Sequence, residues 1–140
     1  MSTVLSQRAR RSVTFRRMSG FDELWRSAVR YRHASRELQP LLHAVHDDLV
    51  RADLSALRAS LEQLLVFLAS AEGRTDANCS TIHHFFNETE SLWRPLREDF
   101  RTLCDDMSGT LHDAIYAPDI ARTFEALPEQ LLTRVRRFET

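Results

Sequence analysis

Glycine, proline and cysteine are scarce in this chain of 140 residues, and each shortage argues against a class of protein. With 3 glycines and 4 prolines there are too few turn residues for a β-sandwich or a β-barrel, so we expect a helical protein. The two cysteines, Cys79 and Cys104, form no C-x-x-C motif. Reduced thiols in a cytoplasmic protein are therefore expected, and not a disulfide framework or a structural zinc site.

Long apolar runs are also missing. No stretch approaches the roughly 18 apolar residues that identify a transmembrane helix, and residues 1–20 contain no apolar core of a secretory signal. We therefore expect a protein that neither spans a membrane nor is secreted. The overall composition, 43% hydrophobic and 28% charged, is typical of a globular chain.

Lysine is absent, so all 19 basic residues are arginines. We interpret this as a consequence of GC-rich coding, which predicts a bacterial origin. A guanidinium group binds phosphate or carboxylate in a bidentate manner, but a bias that affects every basic position identifies no particular arginine as functional.

The basic residues are unevenly distributed. Residues 1–17 contain five arginines and no acid, and because the whole chain has a formal charge of −1, the remainder carries −6. We predict a basic, flexible arm over residues 1–18, followed by a single helical domain over residues 19–140. Such an arm is either a solvated tail or a binding segment for nucleic acid or another polyanion. Its composition also fits an organellar transit peptide.

The strongest helical pattern extends from Asp53 to Gly73. Six leucines recur there at spacings of three and four, and Val66 and Phe67 extend the apolar surface around the second half. This predicts a helix over about 54–72, with Asp53 as N-cap and Gly73 as the C′ residue. We expect it to be the central buried helix of an all-α, irregular bundle of six or seven helices.

Prolines and polar breaks delimit the other predicted helices. A proline is well suited to the first position of a helix and disfavours the helical conformation at the residue before it. The predicted helices run from Ser19 to about Leu38, from Pro40 to about Ala52, from Thr75 or Asp76 to a polar break at 87–91, from Pro95 to Tyr116 with a kink at Gly109, from Pro118 through Phe124, and from Pro128 onward.

The 6 histidines prompt a search for metal ligands. A zinc or iron site needs three or four ligands that converge from different elements. One group has two histidines and an aspartate at i, i+3 and i+4; a second has a cysteine and a histidine at i, i+4, which another histidine could join in space. The candidate ligands are His43, His46, Asp47, Cys79, His83 and His112. The alternatives are a solvated face for the first group and core packing for the second.

Motifs of known chemistry are absent. No histidine has a glutamate three residues before it, as a di-iron bundle requires, and there is neither an H-E-x-x-H motif nor a phosphate-binding glycine loop. Cys79 with His83 as base could in principle act as a nucleophile, but no glycine-rich turn accompanies them. The sequence thus favours a non-enzymatic protein without a cofactor, a metal ion excepted.

Three functional hypotheses remain. The first is a cytoplasmic module that binds a protein partner, or a second copy of itself, through its acidic body, with Trp93 and Tyr116 as aromatic candidates for the interface. The second is a small metal- or ligand-binding helical bundle that uses the candidate ligands above. The third is polyanion or nucleic-acid binding through the arginine-rich arm. No membrane interaction is expected.

Overall fold

A computed structural model describes residues 19–29, 34–116 and 121–140, and within these ranges the chain forms helices and no strand. The predicted all-α bundle is confirmed, and the arm over residues 1–18 lies outside the described residues. The helices are α1 (Ser19–Val29), α2 (Leu38–Arg51), α3 (Leu54–Ala69), α4 (Asp76–Glu88), α5 (Glu90–Trp93), α6 (Glu98–Tyr116) and α7 (Ala121–Arg136).

Helix α3 is the buried helix that the leucine pattern predicts, and both α2 and α7 pack against it. The carboxylate of Asp53 accepts a hydrogen bond from the backbone N–H of Ala56 at 3.1 Å, which confirms the predicted N-cap. Five of its leucines are at most 1% exposed: Leu57, Leu61, Leu64, Leu65 and Leu68. Val66, however, is 51% exposed. The apolar surface around the second half is therefore only partly buried, because α3 leaves one face to solvent.

The end of α3 also differs from the prediction. The helix stops at Ala69, and Gly73 is not its C′ residue. The hydroxyl of Ser70 instead donates to the carbonyl of Phe67 at 2.6 Å and accepts from the N–H of Gly73 at 3.0 Å. Arg74 donates to the carbonyl of Ala69 at 2.9 Å. Side chains thus form hydrogen bonds to the backbone groups at the end of α3. A glycine in the left-handed conformation would otherwise satisfy such groups.

Helix α2 begins earlier than predicted. Ala34 and Ser35 are not helical, so no single helix extends from Ser19 to Leu38, and α2 starts at Leu38 itself. Pro40 then occupies the first turn, where a backbone N–H has no partner within the helix and its loss costs little. The predicted end near Ala52 is confirmed, and that residue is a left-handed C-cap with φ of 52°.

The buried side chain of Asn78 joins two loops. It is 0% exposed, and its carboxamide oxygen accepts from the backbone N–H of Ser35 at 2.8 Å. Its amide group donates to the hydroxyl of Ser35 at 3.0 Å and to the carbonyl of Gly73 at 3.1 Å. Since a buried amide group must be paired to be tolerated, Asn78 specifies where the segment before α2 and the turn after α3 meet α4.

Helices α4 to α6 follow each other more closely than predicted. The polar break is reduced to Thr89, whose hydroxyl donates to the carbonyl of Phe85 at 2.8 Å and accepts from the indole N–H of Trp93 at 3.1 Å. Trp93 is only 2% exposed, so its interpretation as an exposed interface anchor is wrong. Pro95 lies in the turn before α6 and does not start it, and α6 passes through Gly109 as one helix.

Helix α7 is continuous where two helices were expected. Pro128 lies inside it, so the prediction that this proline opens a separate helix is wrong, while Pro118 lies outside the described residues. Although a proline inside a helix removes one hydrogen bond, its ring here is buried. Arg58 of α3 donates to the carbonyls of Val135 at 3.2 Å and Arg136 at 2.9 Å, which ties the end of α7 to α3.

Candidate functional site

Helix α6 packs against α4, α5 and α7. The contact between α4 and α6 has a polar edge. The hydroxyl of Ser108 donates to the carboxamide oxygen of Asn87 at 2.9 Å. One helical turn along both helices, the rings of His83 and His112 lie with centroids 5.6 Å apart and planes inclined by 50°. Residue numbers thus rise along α4 as they fall along α6, which is an antiparallel register.

Burial sets the protonation state at this edge. It lowers the pKa of His83 below its ordinary value, and the neighbouring His112 and His84 lower it further. The imidazole of His83 is therefore neutral at pH 7. Burial also raises the pKa of the Cys79 thiol to about 11, with a smaller contribution from Asp76. A nucleophilic cysteine needs a lowered pKa, so Cys79 is not activated for the catalysis considered from the sequence.

The first group of predicted ligands, His43, His46 and Asp47, lies on α2 beneath α1. His43 and Asp47 approach each other at 3.7 Å, and the ring of Phe21 stacks on His43 with centroids 4.5 Å apart and planes inclined by 8°. Phe21 also contacts His46, at 5.7 Å between centroids. Burial lowers the pKa of His46 despite the opposing charge of Asp47. Packing under Phe21 therefore sets the environment of His46, which the sequence pattern did not reveal, whereas His43 and Asp47 are 52% and 56% exposed, as on a solvated face.

Among the six candidate metal ligands, four form two separate pairs of neighbours, His43 with Asp47 and His83 with His112. Across the described ranges, no group of three or more histidine, cysteine, aspartate or glutamate side chains could hold a metal ion. Both cysteines are buried as free thiols. A role for these six residues in metal binding stays a prediction.

Two recesses open along α6. The smaller, about 120 Å³, lies between α5 and α6 and is lined by Glu90, Trp93, Arg94, Arg101, Cys104 and Asp105. The larger, about 380 Å³, lies between α6 and α7 and is lined by Asp105, Asp106, Gly109, Thr110, Leu127, Leu131 and Arg134. Asp105 lines both recesses, which makes it the residue that joins them.

The charges around the recesses are partly neutralised. Arg134 donates to Asp106 at 2.7 Å, and Arg94 donates to Glu90 at 3.0 Å. Asp105 is exposed, and no ion pair of its carboxylate is found in the described part of the chain. The sequence showed the Asp105-Asp106 pair only as a solvated face. It gave no sign that one of the two aspartates is bound by α7 while the other faces an open recess.

Large aliphatic side chains are exposed at Val50 and Val66, on α2 and α3. These are single residues of the kind found on most protein surfaces. None of the helices within the described ranges has the length and apolar character needed to cross a lipid bilayer.

Comparison of the chain with protein-family models, with curated proteins and with solved structures finds no match.

Proposed function

We propose that this protein is a non-enzymatic, cytoplasmic helical module that binds a basic segment of a protein partner along α6. The observation that carries the proposal is the position of Asp105, an exposed carboxylate at the junction of two recesses. A guanidinium or ammonium group of the partner would pair with this carboxylate.

The larger recess supplies the apolar part of the recognition surface. Leu127 is half-buried and Leu131 is 4% exposed, so an apolar side chain of the partner could cover Leu127 and add buried area. The ion pair between Arg134 and Asp106 lies at the edge of the same recess. An apolar centre with a charged rim is the usual arrangement of a protein interface.

The net charge of the chain supports a basic partner. Residues 18–140 carry −6, so the field of this part of the protein attracts cations and repels polyanions. Complementary charge accelerates association and disfavours acidic partners. The binding constant should therefore fall as salt concentration rises, because salt screens exposed charges.

A photoreactive amino acid in place of Thr110 tests the proposal. This method suits the chain because it has no lysine for amine-reactive reagents. Thr110 lines the larger recess, and Gln63, exposed on α3, is the matched control position. We expect a discrete adduct with a protein from the Thr110 position and none from Gln63. The purified partner should then bind the wild-type chain and lose affinity for Asp105→Arg.

The adduct also identifies the class of partner. An adduct with a second copy of this chain would assign the recess to self-association. The proposal fails if Thr110 and Gln63 give the same adducts, if Asp105→Arg binds the purified partner as tightly as the wild type, or if the chain shows enzymatic turnover that Asp105→Arg leaves unchanged.

The third hypothesis from the sequence, polyanion binding through residues 1–18, concerns a segment outside the described residues. It predicts binding to nucleic acid that weakens steeply with salt and vanishes when this segment is deleted. For the metal-binding hypothesis, the described ranges contain no group of three or more possible ligands.

A further inference from the structure

We propose that residues 1–17 of this chain bind in the larger recess between α6 and α7 of the same molecule and compete there with the protein partner. This inference rests on the proposed function, because it names a second occupant of the same site and thereby a means of regulating it. The segment lies outside the described residues, and its composition and its length carry the inference.

The charges of the segment and of the recess are complementary. Residues 1–17 contain five arginines and no acid, whereas residues 18–140 carry −6. In the recess, Arg134 pairs with Asp106 at 2.7 Å, while the exposed Asp105 has no ion pair in the described part of the chain. A guanidinium group of the segment therefore finds an open carboxylate there, and the field of residues 18–140 attracts the segment.

The recess also suits the apolar side chains of the segment. Its lining includes Leu131, which is buried, and Leu127, which is half-buried and still has surface to cover. Apolar side chains are interspersed with the arginines of the segment, at Val4, Leu5, Val13 and Phe15. A segment of arginines alone would bind to any acidic surface. Arginines mixed with apolar residues favour a site that combines a carboxylate with an incompletely buried leucine.

The segment is long enough to reach the recess. A folded chain of 140 residues has a radius of gyration of about 14 Å and a diameter of about 40 Å. A segment of 17 residues can span up to about 55–60 Å. It precedes α1, which packs against α4, as α6 does. Attachment to the same chain gives the segment an effective concentration of about 1 mM, so that a weak affinity is enough to fill the recess.

Occupation by the segment lowers the affinity of the recess for a partner. The partner binds only those molecules whose recess is free, so the apparent affinity falls in proportion to the free fraction. If the segment fills about nine recesses in ten, the apparent affinity falls about tenfold. A strongly basic partner displaces the segment, whereas a weakly basic protein is excluded, and the segment thus makes the recess more selective.

The photoreactive amino acid at the position of Thr110 tests the occupation in the purified 140-residue chain without a partner. We expect an adduct within one molecule, which mass spectrometry after trypsin cleavage should map to residues 1–17. The Gln63 position should give no such adduct. The yield should be independent of protein concentration and should fall as salt is added. The proposal is overturned if no adduct with residues 1–17 forms, or if the adduct joins two molecules and its yield rises with protein concentration.

A labelled peptide with the sequence of residues 1–17 provides a second measurement. We compare the wild type with a five-glutamine variant of the 140-residue chain, which carries Arg8→Gln, Arg10→Gln, Arg11→Gln, Arg16→Gln and Arg17→Gln. Fluorescence anisotropy should show that the peptide binds the five-glutamine variant about threefold or more tightly than the wild type, because the recess of the variant is free. Equal affinities would overturn the proposal.

Two further substitutions separate the recess from the change in net charge. Asp105→Arg should abolish the gain in peptide affinity that the five-glutamine variant shows. Glu72→Arg changes the net charge equally, and because Glu72 is exposed in the turn after α3, it is the matched control and should preserve the gain. A gain that persists in Asp105→Arg would overturn the proposal.

The proposed function is tested separately, by the adduct of the Thr110 position with a protein partner. If that adduct forms while the peptide binds the wild type and the five-glutamine variant equally, only the present inference fails. If residues 1–17 are captured within the molecule but no partner is captured even by the five-glutamine variant, the proposed function fails and the occupation of the recess by the segment is confirmed.

Discussion

Gly73 lies in the turn after α3, where the chain leaves no room for a side chain. A Cβ atom at this position would overlap the carbonyl oxygen of Phe67. The φ angle of Gly73 is not positive, so its backbone conformation does not require glycine. Close approach of two backbone segments is the reason for glycine here, and this is a different reason from the C′ role that the sequence predicts.

The substitution Gly73→Ala should therefore destabilise the protein by about 1–3 kcal/mol, as other overpacked positions do. Gly109 offers the matched control, since it lies inside α6 with no atom within 4 Å of an added Cβ. Gly109→Ala should stabilise by about 0.5–1 kcal/mol through its higher helix propensity. Urea denaturation of the wild type and the two variants measures both effects. An unchanged free energy of unfolding in Gly73→Ala would contradict the overlap.

Asn78 is the polar residue on which the loops around α4 depend. The variant Asn78→Ala removes three hydrogen-bonded contacts, to the N–H and hydroxyl of Ser35 and to the carbonyl of Gly73. Because it leaves buried backbone groups without partners, we expect a loss of about 1–3 kcal/mol. The side chain of Asn87 is exposed and accepts from Ser108, and Asn87→Ala should cost less than half as much. If urea denaturation shows that the two variants lose equal free energies of unfolding, the result would argue against the buried network.

Burial lowers the pKa of His46 from its ordinary value of 6.5. A histidine with a lowered pKa in the folded state binds its proton more tightly when unfolded, so folding is favoured above the unfolded pKa and loses stability as pH falls through and below it. His83 acts in the same direction. We therefore expect the free energy of unfolding to decline between about pH 7.5 and pH 5.5. His46→Leu should make this decline smaller, whereas an unchanged decline would assign it to other groups.

At the scale of single elements, α1 packs against α4 and α2 and has one buried residue among its described side chains. Its buried residue Phe21 is 2% exposed and packs on His43 and His46 of α2. The substitution Phe21→Ala removes this contact and should cost up to about 3 kcal/mol. Leu24, half-buried on the same helix, is the control position.

Hydrogen exchange distinguishes undocking of α1 from global loss of stability. In Phe21→Ala, amides of α1 should exchange faster while those of α3 keep their protection, because a helix with few buried contacts opens locally. Leu24→Ala should change α1 less. If the exchange rates of amides in α1 and α3 rise together in Phe21→Ala, then α1 belongs to the same cooperative unit as α3 and does not undock locally.

The comparison of sequence with structure is clearest at the prolines. The rule that proline starts a helix placed boundaries at Pro40, Pro95 and Pro128. The structure puts these residues in a first turn, in a connecting turn and inside a helix. All three positions are compatible with a missing N–H, and packing with other helices decides among them. By contrast, the leucine period and Asp53 predicted α3 well, because both signals are local.

The candidate site shows the same limit. The sequence identified His83 and His112 as candidate metal ligands, but their contact follows from the antiparallel register of α4 and α6. The contact of Phe21 with two histidines and the exposure of Asp105 between two recesses are likewise products of helix packing. Spacing within one helix carries no information on which residues of another helix will face it.

At the scale of the whole molecule, the helices form two packed groups. In one group α2 and α7 pack on α3, and in the other α1 and α6 pack on α4. The groups share one cluster of buried side chains, which includes Leu42, Ile82 and Val135. Contacts of α2 with α4 and of α6 with α7 join them, together with the ion pair between Arg134 and Asp106. A continuous core predicts that both groups unfold together.

Unfolding in urea, followed by two probes, tests this cooperativity. Circular dichroism reports all helices, whereas the fluorescence of the buried Trp93, measured after replacement of the other tryptophan by Trp25→Phe, reports the group that contains α6. A single cooperative transition gives coincident curves. The substitution Leu61→Ala acts inside α3, in the other group, and should still shift the unfolding transition of Trp93 by the full amount. If the unfolding midpoint measured by circular dichroism shifts in this variant while the midpoint measured by Trp93 fluorescence does not, the two groups unfold separately and the shared cluster does not couple them.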